Sequence, residues 1–243
     1  MSASTSNPPG VNAAYRPIVL PNIDLVIFDC DGVLIDSELT ASRIMSETLR
    51  EFGVILDPAE AHSIFTGNAE ADNRVLCREK LGIRDVDSFF SAVNARLYGA
   101  FEQIQEIKGI SDIVRSLDCR ICVASNSSLY RLTRSLGRTE LWLAFKGQIF
   151  SADHVSRPKP APDLLFHCAK ENNTAPRRSV MIDDGPHGVH AAISAGMVPI
   201  GFIDPNDPRP DRAAVLRNAG AAFIALGAEN LGECLEEANR ALA

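Results

Sequence analysis

No stretch of this 243-residue chain approaches the ~20 consecutive apolar residues that a membrane-spanning helix needs. Positive charge is also short: 24 Lys and Arg stand against 31 Asp and Glu, a formal charge of −7. Broad electrostatic attraction to nucleic acid or to an anionic membrane surface is therefore not expected, and any anion site has to be assembled locally against the overall sign. Residues 1–22 lack the charged-then-apolar pattern of a secretion signal. They are rich in Ser, Pro and Asn, with Arg16 as the one basic residue, and are expected to form a flexible tail. The six cysteines give no zinc pattern, because Cys119-x-x-Cys122 has no second pair and leads into a strand rather than opening a helix. Reduced thiols in a cytoplasmic protein are the expectation.

What the chain does have is enough apolar material for a sizeable core, 46% hydrophobic against 23% charged. Its length suits one large domain or a domain carrying an insertion. The wholly apolar run Leu25–Phe28 reads as a strand buried on both faces, as in a parallel sheet. Similar runs follow at 120–124, 179–182, 198–203 and 221–224, with helix-like stretches at 110–117, 129–136, 162–171, 189–195 and 230–242 between and after them. Strands alternating with helices predict an α/β fold with a Rossmann-like parallel sheet. The interval 38–108 differs: helix follows helix at 39–52, 58–65, 69–81 and 86–104, with Gly53, Gly67 and Gly82 near the joints. The predicted organisation is a core of 23–37 and 109–243, interrupted by an all-helical cap over 38–108.

Ligands of open parallel sheets bind beyond the carboxyl ends of the strands. The polar residues after the apolar runs are Asp29 and Asp31, then Ser125 and Asn126, then Asp183 and Asp184, while Lys159 lies on a connecting loop. This collection suits cleavage of a phosphate ester. A carboxylate approaching a phosphate meets repulsion of about 4 kcal/mol per unit-charge pair at ~4 Å and an effective dielectric of ~20. A divalent cation held by several carboxylates offsets that, a lysine adds a second positive charge, and hydroxyl or amide donors hold the remaining oxygens. Asp29 and Asp31, two apart at a strand end, can both face one site.

The same residues carry a family resemblance. Asp29-Cys30-Asp31-Gly32-Val33-Leu34-Ile35-Asp36-Ser37 resembles the first motif of the haloacid dehalogenase superfamily, and Val123-Ala124-Ser125-Asn126 its second. The third is matched by Arg157-Pro158-Lys159-Pro160-Ala161-Pro162-Asp163, and the fourth by Met181-Ile182-Asp183-Asp184-Gly185 running on to Met197. The resemblance implies Asp29 as nucleophile and Asp31 as general acid/base, with Mg²⁺ held by Asp29, Asp31 (through its backbone carbonyl), Asp183 and Asp184. Ser125 and Lys159 are implied phosphate contacts, and Asn126, beside Ser125 at the strand end, is a further candidate on its position alone. Ser37, Glu38, Thr66, Gly67 and Asn68 are candidate substrate contacts from the cap and its hinge. The helical insert resembles the mobile cap of the subgroup that contains sugar-phosphate phosphatases and β-phosphoglucomutase. The Phe28–Gly32 stretch with Ser125-Asn126-Ser127 looks most like the 6-phosphogluconate phosphatase and phosphoglycolate phosphatase-like type. Gly185 departs from the pattern where relatives commonly carry serine.

The expected activity is thus Mg²⁺-dependent hydrolysis of a small phosphorylated metabolite, a sugar or sugar-acid phosphate, with oligomeric state left open. A phosphomutase stands as the alternative, although Ala41 occupies the position of the mutases' cap-hinge histidine. A dehalogenase does not need Asp31, and a non-catalytic module does not need Asp29, Asp31, Lys159 and Asp184 together. His187 and His190, three apart without a third ligand in register, read as solvated or partly packed. The segment Leu141–Phe145 reads as core.

Overall fold

The run Leu25–Phe28 forms β1, buried along its whole length. The structure, a computed structural model, describes residues 17–66, 68–100, 104–207 and 209–243, and at 38 and 39 the backbone alone. Five further strands join β1: β2 (Arg120–Ser125), β3 (Ile149–Ser151), β4 (Ser179–Asp183), β5 (Val198–Ile203) and β6 (Phe223–Leu226). They form one parallel sheet in the order β3-β2-β1-β4-β5-β6. Period-two alternation explains the apolar runs. Val26 and Phe28 face one core with Val123, Val180 and Ile182, while Leu25 and Ile27 face a second with Cys122, Ala124 and Met181.

Helices cover both faces. α5 (Ile110–Ser116) and α11 (Gly227–Ala241) lie on the first, and α8 (Asp163–Glu171) and α9 (Pro186–Ala195) on the second. α6 (Leu129–Arg134) follows β2, and α10 (Arg212–Asn218) joins β5 to β6. The segment predicted as core forms the short helix α7 (Leu141–Ala144), which buries Leu141 but leaves Leu143 74% exposed.

Between β1 and α5 the chain builds the cap from α1 (Glu38–Glu51), α2 (Pro58–Phe65), α3 (Glu70–Glu79) and α4 (Val86–Ala100). It has its own core around Leu49, Phe65, Phe89, Phe90 and Leu97. Asp57 and Glu60 make a reciprocal capping box at the start of α2, with Pro58 in its first turn. The two chain crossings between cap and core run side by side, tied by Asp36 N to Gln105 O at 3.0 Å and Ile107 N to Leu34 O at 2.9 Å.

The flexible tail expected over residues 1–22 does not extend to residue 22. Ile18 N donates to Ser116 O at 2.9 Å, Leu20 is buried, and the Asn22 amide and backbone pair with Asn239. Residues 1–16 lie outside the described residues. Among the described residues no helix is long and apolar enough to cross a membrane.

Candidate active site

Phe28 stands opposite Val123 on one side and Ile182 on the other. The next residues, Asp29 just past β1 and Asp183 at the end of β4, therefore emerge level at the sheet's carboxyl edge, with Asp184 directly following. Carboxylate oxygens of Asp29, Asp183 and Asp184, all buried, lie within 4.8 Å of one another. Burying three like charges this closely is costly, and the surrounding cations answer it.

Lys159 is the first of them. It is 4% exposed, and its Nζ donates to Asp29 Oδ1 at 2.8 Å and Asp183 Oδ2 at 2.7 Å. Burial works to lower its pKa, but Asp183 and Asp29 outweigh burial and hold the ammonium above its ordinary value. Asn126 fixes the loop that brings it in. Its side-chain amide donates to Lys159 O at 2.8 Å and its Oδ1 accepts from Lys159 N at 3.0 Å. Asn126, expected as a phosphate contact, thus also positions Lys159, and it lines the cavity described below.

Asp184 is met from the loop after β5 and from the first residue of α10. Arg209 donates to its Oδ2 at 3.0 Å, and Arg212 donates to its backbone carbonyl. Both arginines also pair with Asp207. Burial and Asp183 raise the Asp184 pKa, with Arg209 and Arg212 opposing. Burial likewise pushes Asp29 well up, against Lys159 and with the help of Asp183, Asp184 and Asp31. Gly188, in the first turn of α9, makes room for Asp183: a Cβ there would sit 1.8 Å from Asp183 Oδ2.

Asp31 is directed elsewhere. Its carboxylate accepts from the Ser37 hydroxyl, from Ser127 Oγ at 2.8 Å and from Arg131 at 3.3 Å. Burial raises its pKa, but Arg131 and the two hydroxyls outweigh burial and leave it below the ordinary value. Its side chain is not part of the three-carboxylate cluster, in keeping with the resemblance, which implies a metal contact for Asp31 only through its backbone carbonyl. Ser125 is buried, and its Oγ accepts from Ser127 N at 3.1 Å.

One cavity collects these groups. The core side of its wall includes Asp29, Asp31, Ser125, Asn126, Lys159, Asp183, Asp184 and His187, and the cap side includes Ser42, Met45, Phe65, Thr66, Asn68 and Leu97. Its volume is about 120 Å³. That suits a compact molecule and not a polymer. Of the expected cap contacts, Thr66 and Asn68 reach the cavity and Ser37 acts on Asp31. The Glu38 side chain and Gly67 lie outside what is described. Sequence reasoning missed Ser42, Ser127, Arg131, Arg209 and Arg212. None sits directly beside a motif carboxylate in the sequence, and only the helical register of α1 and α6 hinted at the facing of Ser42 and Arg131.

The donor set fits a hard divalent cation: three carboxylates on rigid strand ends, oxygen ligands throughout. A parallel-sheet hydrolase, with an acidic centre at the strand ends and a helical cap over it, is the class this geometry defines. Residues 26–202 match the haloacid dehalogenase-like hydrolase family, and the chain belongs to that family. It is similar to the 6-phosphogluconate phosphatase of Escherichia coli, 30% identical over 182 residues that cover 73% of this chain and 81% of that protein. Among solved structures it resembles a haloacid dehalogenase-like protein of Agrobacterium tumefaciens, with 32% identity and a TM-score of 0.77 over 88% of this chain and 98% of that one. A family hydrolase of Deinococcus radiodurans, solved with bound phosphate and sodium, matches at 30% identity and a TM-score of 0.73 over 89% and 96% of the two chains. Like its phosphatase relatives, the chain is a phosphoric monoester hydrolase.

Proposed function

We propose that this chain hydrolyses small sugar or sugar-acid phosphates with Mg²⁺, through a phospho-aspartate at Asp29. The observation that carries the reading is Asp29 itself: a strand-end carboxylate 2.8 Å from Lys159 Nζ, within a buried three-carboxylate cluster that faces the cap-covered cavity. Asp29, Asp183 and Asp184 would hold the ion, which supplies positive charge against the repulsion between phosphate and carboxylate. Lys159 adds a fixed charge on the same side, and the Ser125 hydroxyl with neighbouring backbone amides holds phosphoryl oxygens.

An Asp29 oxygen attacks phosphorus, and the ester P–O bond breaks as Asp31 gives its proton to the departing alkoxide. Asp31 then takes a proton from water as that water attacks phosphorus, and the Asp29–phosphorus bond breaks to release inorganic phosphate. The lowered pKa of Asp31 keeps it ionised, the state from which the second step starts. A phosphate dianion arriving nearby disfavours the carboxylate and so supports protonation for the first.

A screen of purified protein against sugar phosphates, sugar-acid phosphates and nucleotides, with Mg²⁺ and phosphate release as the signal, tests the reading. Turnover is expected on the first two groups. β-Glucose 1-phosphate with a trace of the bisphosphate provides the second arm: conversion to glucose 6-phosphate faster than phosphate release would replace the phosphatase with a mutase.

A further inference from the structure

The cap wall of the cavity is largely apolar, with Ala41, Met45, Ala61, Phe65 and Leu97 among its residues. Asn68 and Asn73 and two hydroxyls interrupt it, the hydroxyls being those of Ser42 from α1 and Thr66 at the end of α2. The two hydroxyls converge on one atom behind the wall. Nδ1 of buried His62 lies 2.7 Å from Ser42 Oγ and 3.3 Å from Thr66 Oγ1. None of the three residues takes part in the chemistry assigned to Asp29 and Asp31.

Placing an imidazole under an apolar wall exacts desolvation, and here the ring nitrogen is met by the two side chains that face the cavity. The consequence is orientation. A serine hydroxyl otherwise rotates to suit its surroundings, whereas the 2.7 Å contact pins the Ser42 oxygen against the imidazole. The 3.3 Å separation at Thr66 is long for a hydroxyl bond, so that group can turn toward a ligand at little loss. A pocket that is mostly apolar with a few fixed polar groups reads the polar pattern of what enters it.

We propose that Ser42 and Thr66, backed by His62, form a hydroxyl-reading subsite that selects phosphate esters of polyols over alkyl phosphates of the same length. The inference rests on the phosphatase reading and narrows its substrate class. A polyol hydroxyl exchanges hydrogen bonds with Ser42 and Thr66 when the cap lies over the core. An alkyl chain in the same place leaves both hydroxyls facing carbon, and a site built to bond a hydroxyl discriminates strongly against the analogue that lacks it.

The test compares glycerol 3-phosphate with n-propyl phosphate, and glucitol 6-phosphate with n-hexyl phosphate, on the full chain with Mg²⁺. Ser42→Ala, Thr66→Val and His62→Gln are each expected to lower the polyol-to-alkyl ratio of kcat/KM by about 10-fold or more, mainly through KM on the polyol esters. Equal losses on both members of a pair, or an unchanged ratio, would overturn the subsite. Calorimetric binding of the same four compounds to Asp29→Asn protein separates this inference from the reading beneath it, since it needs no turnover. A polyol preference in binding that Ser42→Ala removes upholds the subsite even if wild-type protein releases no phosphate; absence of that preference rejects it even if phosphate release is fast.

Discussion

Lys159 concentrates at one atom the problem that the whole site has to solve. Its ammonium is shared by Asp29 and Asp183, and all three groups are buried. Removing one partner of a buried ion pair costs about 3–5 kcal/mol, because the other charge is stranded. Lys159→Ala is therefore expected to melt earlier than wild type in chelator, by an amount that Mg²⁺ largely restores, while turnover stays at a small fraction of wild type with Mg²⁺ present. Melting curves with and without Mg²⁺, read beside phosphate release, check both halves, and unchanged melting in chelator would remove the charge-balancing role. Asp29→Asn is expected to fold and to lose turnover, since an amide cannot form the acyl phosphate. Retained turnover would move the nucleophile elsewhere. At this scale the motif residues were legible because strand ends collect polar groups at one edge. The partners of Asp31 were not, because its contact with Arg131 spans 100 positions and leaves no local pattern. The second task of Asn126 was hidden for a related reason: its bonds to the Lys159 backbone span 33 positions.

Among elements, the meeting of β4 and α9 determines whether the acidic cluster can exist. Gly188 lets the first turn of α9 pass against Asp183, and the Gly185 backbone N–H donates to Asp183 Oδ1 at 2.9 Å. Gly188→Ala would put its methyl 1.8 Å from Asp183 Oδ2, so either the carboxylate or the helix has to move. Because 1 Å of misplacement can cost about 100-fold in rate, activity is expected to fall by at least that factor, with weaker Mg²⁺ binding by calorimetry. Wild-type Mg²⁺ affinity in this variant would show that Asp183 is dispensable to the ion. Four of the six strands were found nearly residue for residue, since central strands buried on both faces announce themselves as continuous apolar runs. The last strand lies two residues later than the sequence suggested, at Phe223–Leu226, where the larger apolar side chains begin. β3 escaped notice because three edge residues make no run, and α7 because its exposed face carries Leu143.

For the whole molecule, burial governs the thiols, all six of which are buried or half-buried. It pushes Cys77, Cys119 and Cys234 up to about 11 each, so little thiolate is present near neutrality. Native protein should therefore react slowly with an alkylating reagent at pH 7.5, and faster as pH approaches that value, with all six titrating at once after denaturation. Rapid labelling of a native thiol at pH 7.5 would contradict the packing around it.

Charge balance over the core gives the molecule's response to metal removal. The three buried carboxylates are met by Lys159 from the loop before α8, by Arg209 from the loop before α10 and by Arg212 at the start of α10, the two arginines being shared with Asp207. With those cations supplied by the chain itself, the proposed ion is expected to serve turnover and not folding. An ion at 100 times its dissociation constant stabilises the fold that binds it by about 2.7 kcal/mol. In a domain of this size each kcal/mol moves the melting temperature by roughly 2–4 °C. Chelation should then lower the melting temperature by roughly 5–11 °C while the transition stays cooperative and phosphate release stops. Restoring Mg²⁺ should recover both. A chelated protein that lost its cooperative transition would mean that Lys159, Arg209 and Arg212 do not balance the cluster, and that the carboxylates depend on the ion to stay buried. The Arg209→Gln and Arg212→Gln variants distinguish the contributions, because each should enlarge the drop on chelation if its guanidinium carries part of the load.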